Sequence, residues 1–376
     1  MRARGDGGVY QLGDGRWQAV IELGYQGGKR IRKRWTCATR KEAAVKLRAA
    51  TRLREDGVVL PDQRLTVAGY LDRWLRESVA PTLKESAYIA YERVVRVHLV
   101  PAFGTKPLAK LDPLDLQKLY REKLASGLAP SSVLYIHRVL HRALGQAERW
   151  RVVPRSVAAL VDPPRVPRTR VAAFTVEEAR AFLSAVRGDK REALYIVALA
   201  GGLRRGELLA LRWEDVSVDA GTLAVSRSLS KVRGGWAVAE PKTASSRRVV
   251  KLPAFAVDAL RAHRARQLEE RLAAIVWIDP GLVFTSEVGT LLDGRNVLRL
   301  FKLKVAAAGM DPTAFTFHSL RHSAATLMLA LGIHAKVVAE TLGHSRIAVT
   351  MDVYSHVLPT LQDEAARKMD GLLAAQ

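Results

Sequence analysis

Pro154, Pro163, Pro164 and Pro167 alternate with Arg155, Arg165, Arg168 and Arg170 across the middle of the chain. Each proline fixes φ and removes an amide donor, so this stretch is poor at forming either a helix or a ladder. One hydrophobic core cannot run through it. The 376 residues therefore divide around a stiff basic linker, placed at residues 161–171, into two or three domains.

Periodicity changes on either side of that linker. From residue 9 to about residue 36 short strands alternate, with Gly13, Asp14 and Gly15 making one turn and Gly27 with Gly28 another. Thr39 and Glu42 form a capping box ahead of Ala43, Leu47, Ala50 and Leu53 at helical spacing. A domain over residues 1–60 is expected, a three-stranded sheet crossed by one helix. Asp56, Gly57 and Pro61 break the pattern. Residues 65–160 then read as all-helical, with helices starting near Thr66, Lys84, Asp112 and Pro130 and with Tyr70, Leu71, Trp74 and Leu75 as a core stripe.

Residues 172–376 mix both periods. Helices are expected over Thr175 to Ala185, Glu192 to Leu199, Ala254 to Ala274, near Asn296, over Ser319 to Leu331 and over Ala335 to Leu342. Strands are expected over Thr222 to Leu229, Trp236 to Ala239 and Val249 to Leu252, with Gly234 and Gly235 turning a hairpin. Leu361 to Leu373 reads as a last helix with Leu361, Ala365, Met369 and Leu372 on one side. The fold class is multidomain and mainly α with small β-sheets: an N-terminal three-stranded sheet plus helix, an all-α domain and an α+β domain.

Lysine and arginine number 60 against 37 acidic residues, a formal charge of +23, so a polyanionic partner is expected, and nucleic acid is favoured over a membrane. No run of about 18 apolar residues is present to span a bilayer, and the opening MRARGDGG lacks the apolar segment of a secretory signal. A cytoplasmic protein is expected. Cys37 is the only cysteine, which excludes an intrachain disulfide and a cysteine-cluster metal site. With no Walker glycine loop, HExxH or paired DxD element, no cofactor and no metal are expected.

Arg204, Lys242, His318, Arg321, His344 and Tyr354 form a spaced set of cations followed by a phenol. A tyrosine oxygen attacks a phosphodiester only if charge growing on the non-bridging oxygens is neutralised and the departing alkoxide is protonated. Two guanidiniums, an ammonium and two imidazoles supply both. Arg204 follows Gly201 and Gly202 at a helix start, with Glu207 three residues on to orient it, whereas Arg205 reads as an ordinary surface ion pair. His318 and Arg321, three apart, share one face of a helix, and His322 faces elsewhere. His344 follows Gly343, a helix C′ residue, so helix capping and phosphate contact are both open to it.

These residues, in GGLRRGELLALRW, PKTASSRRVVKLP, FTFHSLRHSAAT, TLGHS and TMDVYSHV, resemble the tyrosine recombinases, the integrase family of bacteriophages and mobile elements. All six family positions are filled in family order. Gly201 and Ser323 stand where relatives often carry threonine. The resemblance implies that Tyr354 is the nucleophile leaving a 3′-phosphotyrosyl bond and that Lys242 is general acid to the 5′ oxygen. It also implies that Arg204 and Arg321 clamp the phosphate, that His318 accepts the tyrosine proton or bonds the phosphate, and that His344 donates to it.

The domains then resemble an arm-binding module over residues 1–60, a core-binding domain over 65–160 and a catalytic domain over 172–376. The implied partners are double-stranded DNA at core and arm sites, three further copies in a tetramer on synapsed DNA, and an excision factor or host DNA-bending protein. The tail helix would dock on a neighbouring copy or on its own domain. DNA contact is expected from Lys29, Arg30, Arg32, Lys33 and Arg34, beside Trp35, and from the linker's Arg165, Arg168 and Arg170, for which a passive spacer reads equally well. Integration and excision of a phage or other mobile element is the implied function. A chromosome-dimer resolvase, a relaxing topoisomerase and a catalytically silent DNA-binding regulator are the rivals, disfavoured by the extra N-terminal module and the complete residue set.

Overall fold

The computed structural model describes residues 7–26, 29–55, 64–167, 172–240, 247–278 and 280–344, with residues 347, 366, 367, 369, 370 and 373 in the C-terminal segment. Two compact units emerge, Met1–Arg168 and Thr169–Gln376. Their boundary falls within the proline-arginine linker.

The first unit opens with the antiparallel sheet β1 (Gly8–Gln11), β2 (Trp17–Gln26) and β3 (Lys29–Cys37), in that order. Thr39 Oγ1 accepts the Glu42 amide at 3.2 Å at the start of α1 (Arg40–Glu55). Strand parity decides what α1 covers. Ala19, Ile21 and Cys37 are buried with Ala43 and Ala50, and Lys33 and Trp35 share that side. The opposite face carries Tyr10, Gln18 and Thr36 in one cross-strand row, with Arg34 opposite Val20 and Arg32 opposite Glu22.

The same unit continues with α2 (Val67–Trp74), which runs into a π turn at Leu75–Val79, and α3 (Glu85–Val94), which runs into a second at Val95–Leu99. After them come α4 (Val100–Phe103), α5 (Pro113–Ala125) and α6 (Pro130–Arg149). The starts follow local chemistry: Thr66 Oγ1 caps α2, Asp112 and Asp115 form a reciprocal box on α5, and proline leads α5 and α6. Tyr70, Leu71 and Trp74 lie fully buried against α6 residues such as Ile136, Val139 and Leu140. The Tyr70 hydroxyl donates to the Ala143 carbonyl at 2.6 Å, which satisfies the polar end of that buried ring.

In the second unit α7 (Val176–Ala185) and α8 (Glu192–Gly201) precede the short α9 (Arg205–Leu209). α8 is apolar on every side and buried from Ala193 to Leu199, as a central helix must be. β4 (Val216–Ser217), β5 (Thr222–Val225), β6 (Ser228–Val232), β7 (Gly235–Ala239) and β8 (Arg248–Lys251) follow, then α10 (Ala254–Ala273), α11 (Gly294–Ala307), α12 (Phe317–Ala330) and α13 (Ala335–Leu342). α10 and α12 pack on α8.

The run Thr222 to Leu229 is not one strand. β5 pairs with β4 and β8, whereas β6 pairs only with β7 among the described strands. Asp215 explains the break: its carboxylate accepts from Ser226 Oγ and from Arg227 Nη1, each at 2.8 Å, pinning the two residues between the sheets. No helix among the described residues is long and apolar enough to cross a membrane. Most of the expected tail helix lies outside the described residues.

Candidate active site

Two helix ends build the site. α8 stops at Gly202 and α13 at Gly343, each in the left-handed conformation, with φ of 61° and 67°. A β-carbon on Gly202 would stand 2.4 Å from Leu342 Cδ2, so glycine is needed there for space as well as for φ. Both ends leave carbonyls without helical partners, at the negative pole of each helix.

Two arginines fill those acceptors. Arg321, 2 % exposed, donates from Nη1 to the Gly202 carbonyl at 2.7 Å and from Nη2 to the Leu342 carbonyl at 2.6 Å. Arg204 donates from Nη2 to the Gly343 carbonyl at 3.1 Å. It is the cap of α9 rather than its first helical residue, because its extended backbone lets its amide meet Glu207 Oε2 at 3.0 Å. Its Nη1 meets Glu207 Oε1 at 2.7 Å. Arg204 keeps 39 % of its side chain exposed, enough to meet a ligand while its root is held.

Glu207 is buried, and burial alone would raise its carboxyl pKa. Donation and charge from Arg248, then the Arg204 amide and side chain, more than reverse this and hold it below the ordinary glutamate value. A fixed carboxylate between two guanidiniums results.

His318 and His344 complete the described cluster. Surrounding protein, then the charges of His322, Arg321 and Arg204, push the His318 imidazole down to about 4, although its side chain keeps open surface. Burial, then Arg321 and Arg204, does the same to the half-buried His344, also to about 4. Both rings are neutral near pH 7 and can accept or donate one proton. His344 is placed by its own amide, which donates to the Ala339 carbonyl at 2.9 Å past the end of α13.

Of the residues expected from sequence, the structure brings together Arg204, Glu207, His318, Arg321 and His344. Lys242, Tyr354, Arg168 and Arg170 lie outside the described residues, as do the side chains of Lys29 and Arg30. Arg32, Lys33 and Arg34 stand on β3, distributed over its two faces, and Arg165 is exposed. Two expectations change. Among the described residues Arg205 makes no ion pair; its Nη1 donates to the Gly294 carbonyl at 3.1 Å, because the start of α11 packs against α9. His322 does not face away from His318: one helical turn on, its ring stands edge-on at 4.6 Å.

Two contributors were given no structural role by the sequence reading, although Ser323 was noted as a family position. Ser323, fully buried, accepts the Phe174 amide at 2.6 Å and donates to the Ser319 carbonyl at 2.8 Å, tying the start of the unit to α12. Arg248 on β8, its side chain 6 % exposed, donates to Glu207 Oε2 at 2.9 Å and to the Thr341 carbonyl at 2.6 Å. Its signal was strand parity, since Val250, two residues on, points inward. Among the described residues no group of three or more His, Cys, Asp or Glu side chains is placed to hold a metal ion.

Residues 173–360 match the model of the phage integrase family, and residues 66–125 match that of the phage integrase N-terminal SAM-like domain. An integrase of Streptomyces ambofaciens is 34 % identical over 389 aligned positions, which cover 99 % of this chain and 97 % of that protein. Among solved structures, the Tn1549 transposon integrase in complex with a circular intermediate DNA aligns with a TM-score of 0.69 at 22 % identity, over 80 % of this chain and 99 % of that one. The lambda integrase tetramer bound to a Holliday junction aligns with a TM-score of 0.56 at 19 % identity, over 90 % and 95 %. At those identities the two structures show a shared fold.

Proposed function

The chain belongs to the phage integrase family and is a tyrosine site-specific recombinase, an integrase; from that premise we propose that Tyr354 is its nucleophile and that the cluster around Arg321 is its phosphate site. Tyr354 attacks one strand of duplex DNA, the bond to the 5′ oxygen breaks, and a 3′-phosphotyrosyl link and a free 5′ hydroxyl remain. A 5′ hydroxyl from the partner duplex then displaces the tyrosine. The number of phosphoester bonds is unchanged, so neither a nucleotide nor a metal is required for the energy balance, and no cofactor is assigned.

One observation carries this reading: Arg321 and Arg204 are tied to the carbonyls of Gly202, Leu342 and Gly343, with the imidazoles of His318 and His344 near enough to feel both charges. Guanidiniums already anchored need little reorganisation as charge develops on the phosphate. Arg204 and Arg321 take the non-bridging oxygens. His318, neutral, accepts the phenolic proton or bonds the phosphate, and His344 donates to it. Lys242 protonates the leaving 5′ oxygen.

Residues 1–60 serve as an arm-site module and residues 65–160 as a core-binding domain. Residues 161–171 link them to the catalytic domain of residues 172–376. Arg32, Lys33 and Arg34, with Lys29 and Arg30, meet arm-site phosphates or bases, and Arg165, Arg168 and Arg170 meet the backbone. The likeness to integrases bound to DNA, including a tetramer on a Holliday junction, supports a DNA-bound homotetramer; a cytoplasmic location and an accessory factor for excision complete the proposal. Integration of a mobile element follows from the similarity to integrases along the whole chain.

The test mixes the protein with its native DNA neighbourhood in EDTA, denatures it, and sequences DNA left covalently attached, with Tyr354→Phe alongside. Adducts at one site that vanish in the variant are expected. Adducts that persist without the phenol would overturn the assignment of Tyr354, and tight binding with no adduct would favour a silent regulator.

A further inference from the structure

We infer that Arg248 is a positioning residue of the recombination site: it touches no DNA, and it fixes the place of Arg204 through Glu207 and that of the α13 end through Thr341. The inference rests on the reading of Arg204 as a phosphate-binding group. Arg248 is almost out of solvent, and its Nε and Nη2 are both engaged, so a phosphate arriving at the open side of Arg204 would not reach it. A guanidinium so buried is retained only where acceptors fix it.

Those acceptors are what give it reach. Glu207 Oε2 takes Arg248 while Oε1 of the same carboxylate takes Arg204 at 2.7 Å, so the two cations hold one carboxylate in one orientation. The Thr341 carbonyl precedes those of Leu342 and Gly343, which hold Arg321 and Arg204, and lies three residues before His344. Arg248 itself stands on β8, six residues after Lys242. One side chain thus fastens the strand that follows the lysine, the cap of α9 and the last turn of α13. Remove it, and the buried Glu207 keeps Arg204 as its one strong cationic partner in this network. Arg204 is then drawn onto the carboxylate and away from the phosphate, or Glu207 takes a proton and releases it.

The experiment compares full-length wild type, R248K, R248M, E207Q and the E207Q/R248M double variant for melting temperature, affinity for core-site duplex and adduct rate at saturating DNA. Crystal structures of wild type and R248M accompany them. Loss of a partner that orients a metal ligand costs about 10- to 100-fold in activity, and a partner that orients a phosphate-binding arginine is expected to cost the same order. That loss is expected for R248M, with affinity changed by less than about threefold, and with R248K falling between R248M and wild type because lysine keeps the charge but not the fork. In the E207Q background the same change should cost less than about threefold, since both ends of the pair are gone.

In the R248M crystal the Arg204 contact to Gly343 is expected to be lost. An Arg204 that keeps this contact in R248M overturns the inference whether or not the protein forms adducts. So does a rate loss of equal size in both backgrounds, or one that tracks melting temperature alone. Should R248M fail to fold, the double variant, which leaves no buried charge unpaired, is solved in its place, and an undisplaced Arg204 there is again fatal. Absence of adducts in wild type, by contrast, sinks the phosphotyrosyl reading and leaves the crystallographic arm to judge Arg248.

Discussion

Two regions of this protein are dense in arginine and treat it in opposite ways. On β3, Arg32 and Arg34 stand exposed on a sheet face, and Arg32 pairs with Glu22 at 2.9 Å across side chains that are 42 % and 31 % exposed. In the catalytic unit Arg321 is 2 % exposed and is held by two carbonyls. The backbone makes the difference. A strand commits its inner carbonyls to the ladder, whereas a helix leaves its last carbonyls unpaired. α8 and α13 bring two such ends together, which lets guanidiniums be buried in place before any substrate arrives. Arginine on the sheet costs little to hold and adapts to whatever it meets; arginine between helix ends is preorganised.

That contrast breaks first at Arg321. Arg321→Ala should lower the adduct rate at saturating DNA by about 10²- to 10³-fold, the loss typical of one preorganised donor at a developing anion. Arg32→Ala should leave the rate on a short core duplex within about twofold, as surface changes do. Rates measured on the same duplex decide it. A loss below tenfold for Arg321→Ala would mean that anchoring at the helix ends is structural and that the electrophile lies elsewhere.

Gly202→Ala tests the frame without touching a cation. The new β-carbon meets Leu342 Cδ2 at 2.4 Å, and the residue must also hold φ near 61°. A left-handed alanine costs about 1–2 kcal/mol and overpacking about 1–3 kcal/mol, so thermal unfolding should show a loss of about 3 kcal/mol. The opposite control is Gly13→Ala, where a β-carbon meets nothing within 4 Å. A loss for Gly202→Ala of no more than about 1–2 kcal/mol, the cost of a left-handed alanine alone, would show that α8 and α13 do not approach as closely as the helix-end frame requires.

The sequence made most of this cluster legible because its residue types are dictated by chemistry. Arg204, Glu207, His318, Arg321 and His344 stand where helix-start, helix-face and helix-end signals put them, and Gly343 already marked the end of α13. Arg248 was hidden for a physical reason. In a chain carrying +23, the pair Arg247 and Arg248 looks like solvated charge, and only the inward parity shared with Val250 separates the buried one from its exposed neighbour. Ser323 was hidden because its partners, the Phe174 amide and the Ser319 carbonyl, are backbone atoms, one of them far away in sequence. The division of Thr222 to Leu229 into two sheets depends on Asp215, a carboxylate outside the strand pattern. The misses at Arg205, Arg248 and the Phe174 contact of Ser323 are tertiary contacts, His322 is a local one a single turn from His318, and the hits are local.

Acid gives a smaller effect. His318 and His344 are held at about 4 in the folded protein, against about 6.5 for a free imidazole. As pH falls below 6.5 the unfolded chain takes up protons that the folded site refuses, so the stability these rings contribute is complete above 6.5 and is lost progressively down to about 4. The melting temperature of the DNA-free protein should therefore decline across that window, and the His318→Gln/His344→Gln double variant should decline less steeply. The N-terminal module holds none of the nine histidines, so no imidazole there adds to the slope. Identical slopes for the two proteins would mean that burial and the neighbouring arginines do not depress these rings.

The smallest effect belongs to the sheet. Arg34 lies opposite Val20, which offers no acceptor, whereas Arg32 lies opposite Glu22, which does. If this face meets DNA phosphates, each contact contributes about 0.9 to the slope of log affinity against log salt. Arg34→Ala should then lower that slope by about one on arm-site DNA. Arg32→Ala should lower it by less, because its guanidinium must first leave a carboxylate, a step worth about 0.2–1 kcal/mol for an exposed pair. Titrations at four or five salt concentrations resolve the difference. Slopes unchanged in both variants would leave β3 a solvated face, and equal reductions would show that the Glu22 pair gives way at no cost, which is how an adaptable arginine differs from an anchored one.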